Sequence, residues 1–301
     1  MVSLSICIPI FNHDCTDLIN RLDEQCVRSG INYEIILIDD CSSLHKEANR
    51  MLAQLPNVQY TELPQNIGRA AIRNRLAETA RFSHLLFMDC DTQIIDSKFI
   101  PKYLFAVKEC NADVILGGVC YSDEMPQQPY LLRWVYGKNR EERPAHERNL
   151  QPYRAFTAFN ALIRKEVFEK VRFDESLKTY GHEDTLLGWQ MKKENFIMTH
   201  IDNPARKIGL ATSDTYLKRN AEAVENLWKI YQKIEEKKLF REDVKILKYF
   251  HILKQMCIEK IFHKTIRIFN GAIFKNLKSD KPNLHLLDLY KLATLCQVSL
   301  K

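Results

Sequence analysis

The chain has 301 residues, of which 46% are hydrophobic and 27% charged, so it can bury a sizeable core and is too apolar for a disordered protein. The net charge of +6 is uneven, because residues 211–301 carry 18 Lys and Arg against 10 Asp and Glu. The sequence offers no run of about 18 apolar residues and no basic leader, so we expect neither a membrane-spanning helix nor a signal peptide.

Apolar, strand-like runs alternate with segments of helical periodicity over the first 120 residues. The predicted strands are residues 4–10, 33–38, 58–61, 84–88 and 113–117. The predicted helices between them are residues 16–29, 44–55, 69–80 and 98–110. This alternation predicts an α/β fold with a mostly parallel sheet flanked by helices, and ligands of such sheets bind beyond the carboxyl ends of the strands.

The rest of the chain divides into two stretches. Residues 121–153 have weak periodicity and are expected to run irregularly over the site, and strands at 157–164 and 196–201 flank a helix that starts near Glu183. Helical periodicity then continues to the end, at 215–238, at 241–274 with a break near His263, and at 284–298. We therefore expect one domain at 1–210 and a helical C-terminal extension at 211–301.

Candidate site residues cluster at the ends of the first two predicted strands. They consist of Pro9, Phe11, Asn12, Asp39, Asp40 and Ser42. An acidic side chain at a strand end can accept hydrogen bonds from a nucleotide base or a ribose. The alternative is a helix cap, in which Ser42 or Ser43 accepts hydrogen bonds from backbone N–H groups.

A third cluster opens the helix that follows the third strand. Asn66 and Gly68 are typical of a turn, and Arg69 and Arg73 stand four residues apart on one helix face. Such a pair of arginines can meet a diphosphate near the start of the helix. The alternative is an exposed helix with ordinary salt bridges.

Asp89 and Asp91 come directly after the apolar strand 84–88. Two carboxylates one residue apart repel each other unless a cation lies between them. Mg²⁺ and Mn²⁺ prefer a few carboxylates together with phosphate oxygens and water. The pair therefore predicts a divalent ion that bridges a sugar diphosphate.

Further along, Glu183 and Asp184 open a predicted helix after Gly181 and His182. One interpretation makes Asp184 a general base that takes a proton from an acceptor hydroxyl. The other is simple charge complementarity between the carboxylates and the N-terminal end of the helix dipole.

Together these motifs resemble glycosyltransferase family two, which has the GT-A fold. The matching elements are Pro9-x-Phe11-Asn12, Asp39-Asp40-x-Ser42, Asn66-x-Gly68 with Arg73-Asn74, Asp89-x-Asp91, Phe173-Asp174-Glu175 and Gly181-His182-Glu183-Asp184. Each is weak alone, but all six occur in the family's order. The resemblance implies an inverting, metal-assisted, hexosyltransferase-like enzyme that moves one sugar from a nucleotide-diphosphate sugar to a hydroxyl group.

The resemblance also implies a role for each matching residue. The donor-binding residues would be Pro9, Phe11, Asn12, Asp40, Asn66, Gly68, Arg69, Arg73 and Asp89. Within this set Phe11 and Asp40 would hold the nucleotide base of the donor, and Asp89 would contact its ribose side. Asp91 would bind Mg²⁺ or Mn²⁺, and Asp184 would be the catalytic base. Residues 1–120 would form the nucleotide-binding half of the catalytic domain and 121–210 its acceptor-binding half.

The sequence departs from the family pattern at two places. Lys207 stands where related sequences usually have a metal-binding His, and a protonated Lys has no lone pair for a metal, although it can neutralise a diphosphate as a point charge. The nearby His200 lies in a predicted strand. No Gln-x-x-Arg-Trp motif follows Trp189, and this absence favours transfer of a single sugar over processive synthesis.

Other functions remain to be weighed. Lys207 supports a catalytically silent subunit that only binds a nucleotide sugar within a glycan-assembly complex, whereas Asp184 supports catalysis. A nucleotidyltransferase or a dinucleotide dehydrogenase would need glycines directly after the first strand, and residues 9–14 contain none.

The expected partners are a nucleotide-sugar donor and a glycan or lipid-linked acceptor, as in surface polysaccharide or glycolipid assembly, and no nucleic acid. We expect an acceptor pocket that includes Tyr130, Arg133, Trp134, Tyr136, Tyr153 and Arg154, since aromatic rings suit sugars and Arg suits phosphate. The alternative is that these aromatics only pin a loop to the core.

The basic helices near the C-terminus have two interpretations. Residues 245–254 and 258–264 mix apolar and basic side chains at helical spacing, which suits an anionic membrane surface. Their apolar stripe suits equally a protein surface, either the catalytic domain or a second copy in a homo-oligomer. Scattered cysteines such as Cys7 favour reduced thiols, so we expect a cytoplasmic protein that either is free or lies on the inner face of the membrane.

Overall fold

The computed structural model describes residues 2–300. The chain divides into two compact units. The sheet unit takes the described residues of Met1–Ser122, together with Glu141–Lys178 and Glu183–Gly209. The helical unit takes Asp123–Arg140, Thr179–His182 and the described residues of Leu210–Lys301, so it includes two short segments that precede residue 211.

Ten strands form two sheets within residues 2–300. In chain order they are β1 (Ser3–Ile10), β2 (Asn32–Asp39), β3 (Val58–Glu62), β4 (His84–Met88), β5 (Thr92–Gln93), β6 (Val114–Leu116), β7 (Val119–Cys120), β8 (Asn160–Arg164), β9 (Met198–His200) and β10 (Ala205–Lys207). The large sheet has the order β3-β2-β1-β4-β8-β6-β9, in which only β8 runs antiparallel to its neighbours. The small sheet has the order β5-β10-β7. The predicted mostly parallel sheet is therefore confirmed.

Fourteen α-helices accompany the strands over the described residues. They are α1 (Thr16–Ser29), α2 (Lys46–Met51), α3 (Arg69–Thr79), α4 (Phe99–Glu109), α5 (Leu131–Tyr136), α6 (Ala145–Asn149), α7 (Val167–Lys170), α8 (Glu183–Lys193), α9 (Ser213–Lys233), α10 (Lys237–Asp243), α11 (Lys245–Gln255), α12 (Glu259–Ile268), α13 (Asn270–Leu277) and α14 (Leu284–Val298). The predicted helix at 44–55 is shorter than expected, because α2 gives way to a 3-10 turn at Leu52–Gln54.

Alternate side chains of the central strands enter two different hydrophobic cores. Ile6 and Ile8 of β1 pack on one face of the large sheet with residues of α1 and α4. Cys7, which lies between them, packs on the other face with residues of α3 and α8. Because both faces are covered, the central strands are mostly apolar, and the buried polar side chains of Ser5 in β1 and Glu34 in β2 hydrogen-bond to each other.

Residues 121–153 differ from the irregular excursion that the sequence suggested. They contain α5, a π-helical turn at Gly137–Glu141, α6 and the start of a 3-10 turn at Pro152–Ala155. Each of these helical segments spans fewer than two turns, which is too short to produce a readable 3.6-residue periodicity. Leu132 on α5 packs in a hydrophobic cluster of the helical unit.

The helices of the helical unit are broken more often than the sequence predicted. His263 lies inside α12, and the chain instead interrupts the helical run at Val244, at Cys257, whose φ is 57°, and at Phe269. The apolar pattern continues across these breaks. No helix among the described residues is long and apolar enough to cross a lipid bilayer.

Candidate functional site

The carboxyl ends of four parallel strands meet at one edge of the large sheet. Ile10 pairs with Asp39, and Asp39 pairs with Glu62, so β1, β2 and β3 end level with one another. Because β8 runs antiparallel and Asn160 pairs with Met88, the residues just before β8 lie at the same edge. The sequence does not reveal the antiparallel direction of β8, since periodicity does not give strand direction.

Side-chain hydrogen bonds join the loop after β1 to the loop after β2. The Asn12 Oδ1 accepts hydrogen bonds from the backbone N–H groups of Ser43 (2.7 Å) and Leu44 (3.1 Å). The Asn12 N–H in turn donates to the Ser42 hydroxyl at 2.8 Å. Ser42 therefore accepts from a backbone N–H group as the capping alternative proposed, but it joins two loops and caps no helix. Phe11, which precedes Asn12, is 53% exposed, so its ring presents an apolar face at the strand end.

Asp40 holds the turn that precedes α3. Its Oδ1 accepts a hydrogen bond from the Ile67 N–H at 2.7 Å, and its Oδ2 accepts from the Gly68 N–H at 3.1 Å. The Asn66 side chain donates to the Asp40 carbonyl at 3.1 Å. The polar groups of Asp40, Asn66 and Gly68 together shape one loop, and the predicted contacts of these residues with the donor stay predictions. The contact of Asp40 with a base stays a prediction, since each carboxylate oxygen retains a second lone pair.

The two arginines of α3 have different positions. The buried Arg73 donates from Nη2 to Asp89 Oδ1 at 2.8 Å, and its Nη1 lies 3.7 Å from Glu183. Arg69 is 44% exposed and lies 3.5 Å from Asp89 Oδ2. Only Arg69 is therefore placed to meet a diphosphate directly, because the guanidinium of Arg73 is enclosed by protein carboxylates.

Asp89 is ionised by its neighbours. Burial by itself would raise the pKa of its carboxyl group, but the charges of Arg73, Lys207 and Arg69 outweigh burial and hold the pKa well below its usual range. The predicted repulsion between Asp89 and Asp91 is thus relieved by side-chain cations of the protein. Glu183 completes the network through Arg69 and Arg73, a role that its sequence motif does not predict.

Lys207 binds the carboxylate that was assigned to the metal. Its Nζ donates to Asp91 Oδ1 at 2.7 Å and to Oδ2 at 2.8 Å, and it lies 3.8 Å from Asp89 Oδ2. The ammonium group also sits 4.9 Å from the centre of the Phe159 ring, within range of a cation–π contact. Lys207 reaches this position because it pairs with Thr92, the residue that follows Asp91.

The close approach of the loop after β10 depends on Gly209. A Cβ atom at this position would lie 2.5 Å from Asp91 Oδ2 and 2.6 Å from Asp91 Cβ. The Ile208 N–H donates to the Asp91 carbonyl at 3.0 Å. Asp91 is thus fixed through both its backbone and its side chain by the segment that carries Lys207.

The residues around Asp91 do not fit a divalent metal as they stand. Both oxygens of Asp91 already accept hydrogen bonds from an ammonium group, and an ammonium group cannot be a ligand. Among the described residues no three His, Cys, Asp or Glu side chains cluster as a metal site would require. His200, the nearby histidine, hydrogen-bonds with the Arg148 side chain and the Pro152 carbonyl. The assignment of Mg²⁺ or Mn²⁺ to Asp91 therefore stays a prediction that the donor set does not support.

Asp184 lies in the first turn of α8 with one oxygen bound and one not. Its Oδ2 accepts hydrogen bonds from the Thr157 hydroxyl at 3.1 Å and the Ala158 N–H at 3.3 Å. Its Oδ1 is buried and has no hydrogen-bond partner among the described residues. A buried carboxylate oxygen without a donor is costly, and such atoms are typical of sites that receive a ligand.

The pKa of Asp184 is raised to about 6 by burial; the charge of Arg73 opposes the rise, and those of Glu183 and Asp89 support it. A helix N-terminus alone would have lowered the pKa, so charge complementarity to the dipole does not dominate here. A carboxylate that titrates near neutral pH is suited to accept a proton.

The residues expected to form an acceptor pocket are divided between the two units. In the helical unit, Arg133 lies over the Tyr216 ring at 5.4 Å, and the Tyr136 ring lies 5.6 Å from it. In the sheet unit, the Tyr153 hydroxyl donates to the Phe196 carbonyl at 2.9 Å. These three side chains pin their segments to neighbouring elements, as the alternative interpretation proposed. A role for Tyr130, Trp134 and Arg154 in acceptor binding stays a prediction.

The sequence of the chain matches a family model, and its fold matches solved structures. A family model described as Glycosyl transferase family 2 matches residues 5–172, more than half of the chain. No curated protein matches it in sequence.

Several solved glycosyltransferase structures share the fold. TarS 1–349 from S. aureus is 17% identical, with a TM-score of 0.57 over 99% of this chain and 90% of that chain. Its complex with UDP-GlcNAc is 15% identical, with a TM-score of 0.55 over the same shares of the two chains, 99% and 90%. The mannosyltransferase PcManGT from Pyrobaculum calidifontis, in complex with GDP-Man and Mn²⁺, is 12% identical, with a TM-score of 0.58 over 97% of this chain and 85% of that chain. At these identities the likeness is one of fold.

Proposed function

The chain belongs to glycosyl transferase family 2, and on that premise we propose that it transfers one sugar from a nucleotide-sugar donor to a hydroxyl acceptor with inversion at the anomeric carbon. The observation that carries the proposal is Asp184, a carboxylate with a raised pKa and a buried oxygen that has no hydrogen-bond donor among the described residues. Inverting transfer needs one base to take the proton of the attacking hydroxyl, and Asp184 has the properties of that base.

The bonds and protons of the proposed step balance without a redox change. The acceptor oxygen forms a bond to the anomeric carbon, and its proton passes to the carboxylate of Asp184. The bond between the anomeric carbon and the diphosphate oxygen breaks, and the nucleoside diphosphate leaves with the electron pair. Thr157 and the Ala158 N–H keep Asp184 oriented through its other oxygen.

The leaving diphosphate needs positive charge near it. Arg69 supplies this charge from the first residue of α3, whose helix N-terminus also favours an anion. Arg73 acts on the donor indirectly, because it keeps Asp89 ionised and in place. Exposed Phe11 provides an apolar face for the nucleotide base of the donor. The structures with UDP-GlcNAc and GDP-Man support a nucleotide sugar as the donor.

A divalent cation is supported for this fold by the mannosyltransferase, whose structure contains Mn²⁺. A bound cation would neutralise the diphosphate. The residues of this chain do not favour one as they stand, since the positive charge of Lys207 already lies on both oxygens of Asp91. The proposed step is therefore assigned to side chains alone.

We place the reaction in surface polysaccharide or glycolipid assembly, with a glycan or lipid-linked acceptor. The support is the basic helical unit, in which α12 has no buried residue and Ile261 and Ile268 are 64% and 79% exposed. Exposed apolar side chains beside lysines suit the surface of an anionic membrane. The absence of a processive motif after Trp189 supports transfer of a single sugar.

The test begins with donor binding. Purified full-length protein is screened by thermal shift against UDP-GlcNAc, GDP-Man and other nucleotide sugars, and release of nucleoside diphosphate is followed with water as the acceptor. We expect stabilisation by one donor and slow hydrolysis of it. Binding without hydrolysis would favour the alternative, a catalytically silent subunit of a glycan-assembly complex. No stabilisation by any donor would refute the proposal.

A further inference from the structure

We infer that Lys207 takes the place of the divalent cation in this protein, as a fixed ammonium group that neutralises Asp91 and contacts the leaving diphosphate, so that donor binding requires no metal. This inference rests on the proposed function, since it concerns how the same site binds a nucleoside diphosphate.

The contacts of Lys207 carry the inference. An ammonium group has three N–H donors, and two of them are used on the oxygens of Asp91, at 2.7 and 2.8 Å. The third donor remains for a ligand, and the side chain is 15% exposed and so reachable. The ring of Phe159 lies under the ammonium group at 4.9 Å and blocks that side. The arrangement matches what a bridging metal does, which is to join a carboxylate of the protein to a phosphate oxygen.

The backbone builds this position into the fold. Lys207 is the last residue of β10, which pairs with β5 on one side and with β7 on the other. The missing Cβ of Gly209 lets the next turn lie against Asp91. The backbone of Lys207 is held by its pairing with Thr92, and its ammonium group is held by both oxygens of Asp91 and by the Phe159 ring. This fixed position is the property that a bound metal would otherwise supply.

The charges leave little attraction for a second cation. Asp89 is paired with Arg73 at 2.8 Å, and Asp91 is paired with Lys207, so both carboxylates of the motif are already neutralised. A divalent ion that took Asp91 as its ligand would lie beside the ammonium group, and like charges in contact repel. Lys207 contributes one positive charge where a metal contributes two, and Arg69, which is 44% exposed and lies 3.5 Å from Asp89, is a second cation at this edge.

In the proposed step Lys207 moves no proton. It stays protonated and donates a hydrogen bond to a phosphate oxygen, which becomes more negative as the bond to the anomeric carbon breaks. A charge-assisted hydrogen bond of this kind strengthens as the charge develops.

The experiment measures nucleotide binding with and without metal. Full-length protein is treated with EDTA, and the affinities for UDP and GDP, the nucleotides named with the two neighbours, are measured by calorimetry in EDTA and then in Mn²⁺. We expect the preferred nucleotide to bind equally well in both conditions. Binding that needs Mn²⁺ would overturn the inference and leave the proposed function standing. No binding of either nucleotide in any condition would count against both.

Variants at the same position give the second half of the test. Lys207→Met keeps the length of the side chain but removes its charge, and nucleotide affinity in EDTA should fall on the order of 10- to 100-fold. Lys207→His should lose the same affinity in EDTA and regain it in Mn²⁺, because imidazole can be a metal ligand. Lys98→His, at an exposed lysine of the same unit, is the matched control and should bind as the unmodified protein does. Unchanged affinity of Lys207→Met in EDTA would overturn the inference.

Discussion

Replacement of Asp184 by Asn is the sharpest test of the proposed base. The amide keeps the size of the side chain and can still accept from the Thr157 hydroxyl and the Ala158 N–H, but it cannot take a proton. General-base catalysis contributes roughly 10²–10⁴ in rate, and turnover should fall by that factor. Donor affinity should stay unchanged, because Asp184 is assigned to the acceptor hydroxyl.

The pH profile gives a second measure from the same residue. With a pKa of about 6, Asp184 is roughly one-tenth ionised at pH 5, half at pH 6 and nine-tenths at pH 7. Only the ionised form is a base, so turnover should rise about tenfold between pH 5 and pH 7 and then level off. In Asp184→Asn this rise should disappear from the residual activity.

Stability should respond in the opposite sense. The pKa in the folded state lies above the unfolded value, so the wild-type protein loses stability as pH rises through about 6, and Asp184→Asn should not. The variant should therefore melt no lower than wild type at pH 8, which separates loss of the base from loss of the fold. Asp17→Asn, at an exposed residue of α1, is the control and should keep full turnover.

The assay is the release of nucleoside diphosphate from the preferred donor over pH 5–9, with melting curves at each pH. Normal turnover in Asp184→Asn, or an unchanged pH profile, would refute the assignment of the base. Lost donor binding with normal turnover would assign Asp184 to the structure of the site.

Three further predictions test the surroundings of the site. Arg73→Met should lower the free energy of unfolding by about 1.5–3 kcal/mol in urea titrations, because it removes the nearest cation and a charge-assisted hydrogen bond of the buried Asp89 and leaves only the longer contacts with Arg69 and Lys207; a change below 1 kcal/mol on the same scale would show that water reaches the pair. Gly209→Ala should displace Asp91, lowering turnover by about 10²-fold while the melting temperature changes little; equal activity would mean that the loop moves aside freely. The full chain should co-sediment with anionic but not neutral liposomes at low salt, each surface Lys or Arg adding on the order of 1 kcal/mol, and absence of binding would leave α12 as a surface for protein contacts.

The sequence determined the architecture of the sheet unit because its signals are local. Apolar runs and helical periods located β1 to β4 and the helices between them, and strand-helix alternation is compatible with few topologies. It also determined that Asp89, Asp91 and Arg69 lie at one edge, since the carboxyl ends of parallel strands meet there. The short helices at 131–149 escaped detection, because one or two turns give too few residues for a period to repeat.

Only the tertiary structure decided which partner each site residue has. Asp40 accepts a hydrogen bond from the Gly68 N–H, 28 positions away, and Arg73 donates one to Asp89, 16 positions away. Packing of the fold brings each pair into contact. The pairing of Lys207 with Asp91 spans 116 positions and depends on the register of β10 against β5. Hydrogen bonds and ion pairs act over a few ångströms, whereas the sequence records only separation along the chain. The residue type at position 207 raises the question of a metal, but only the fold places its ammonium group within 2.8 Å of both oxygens of Asp91.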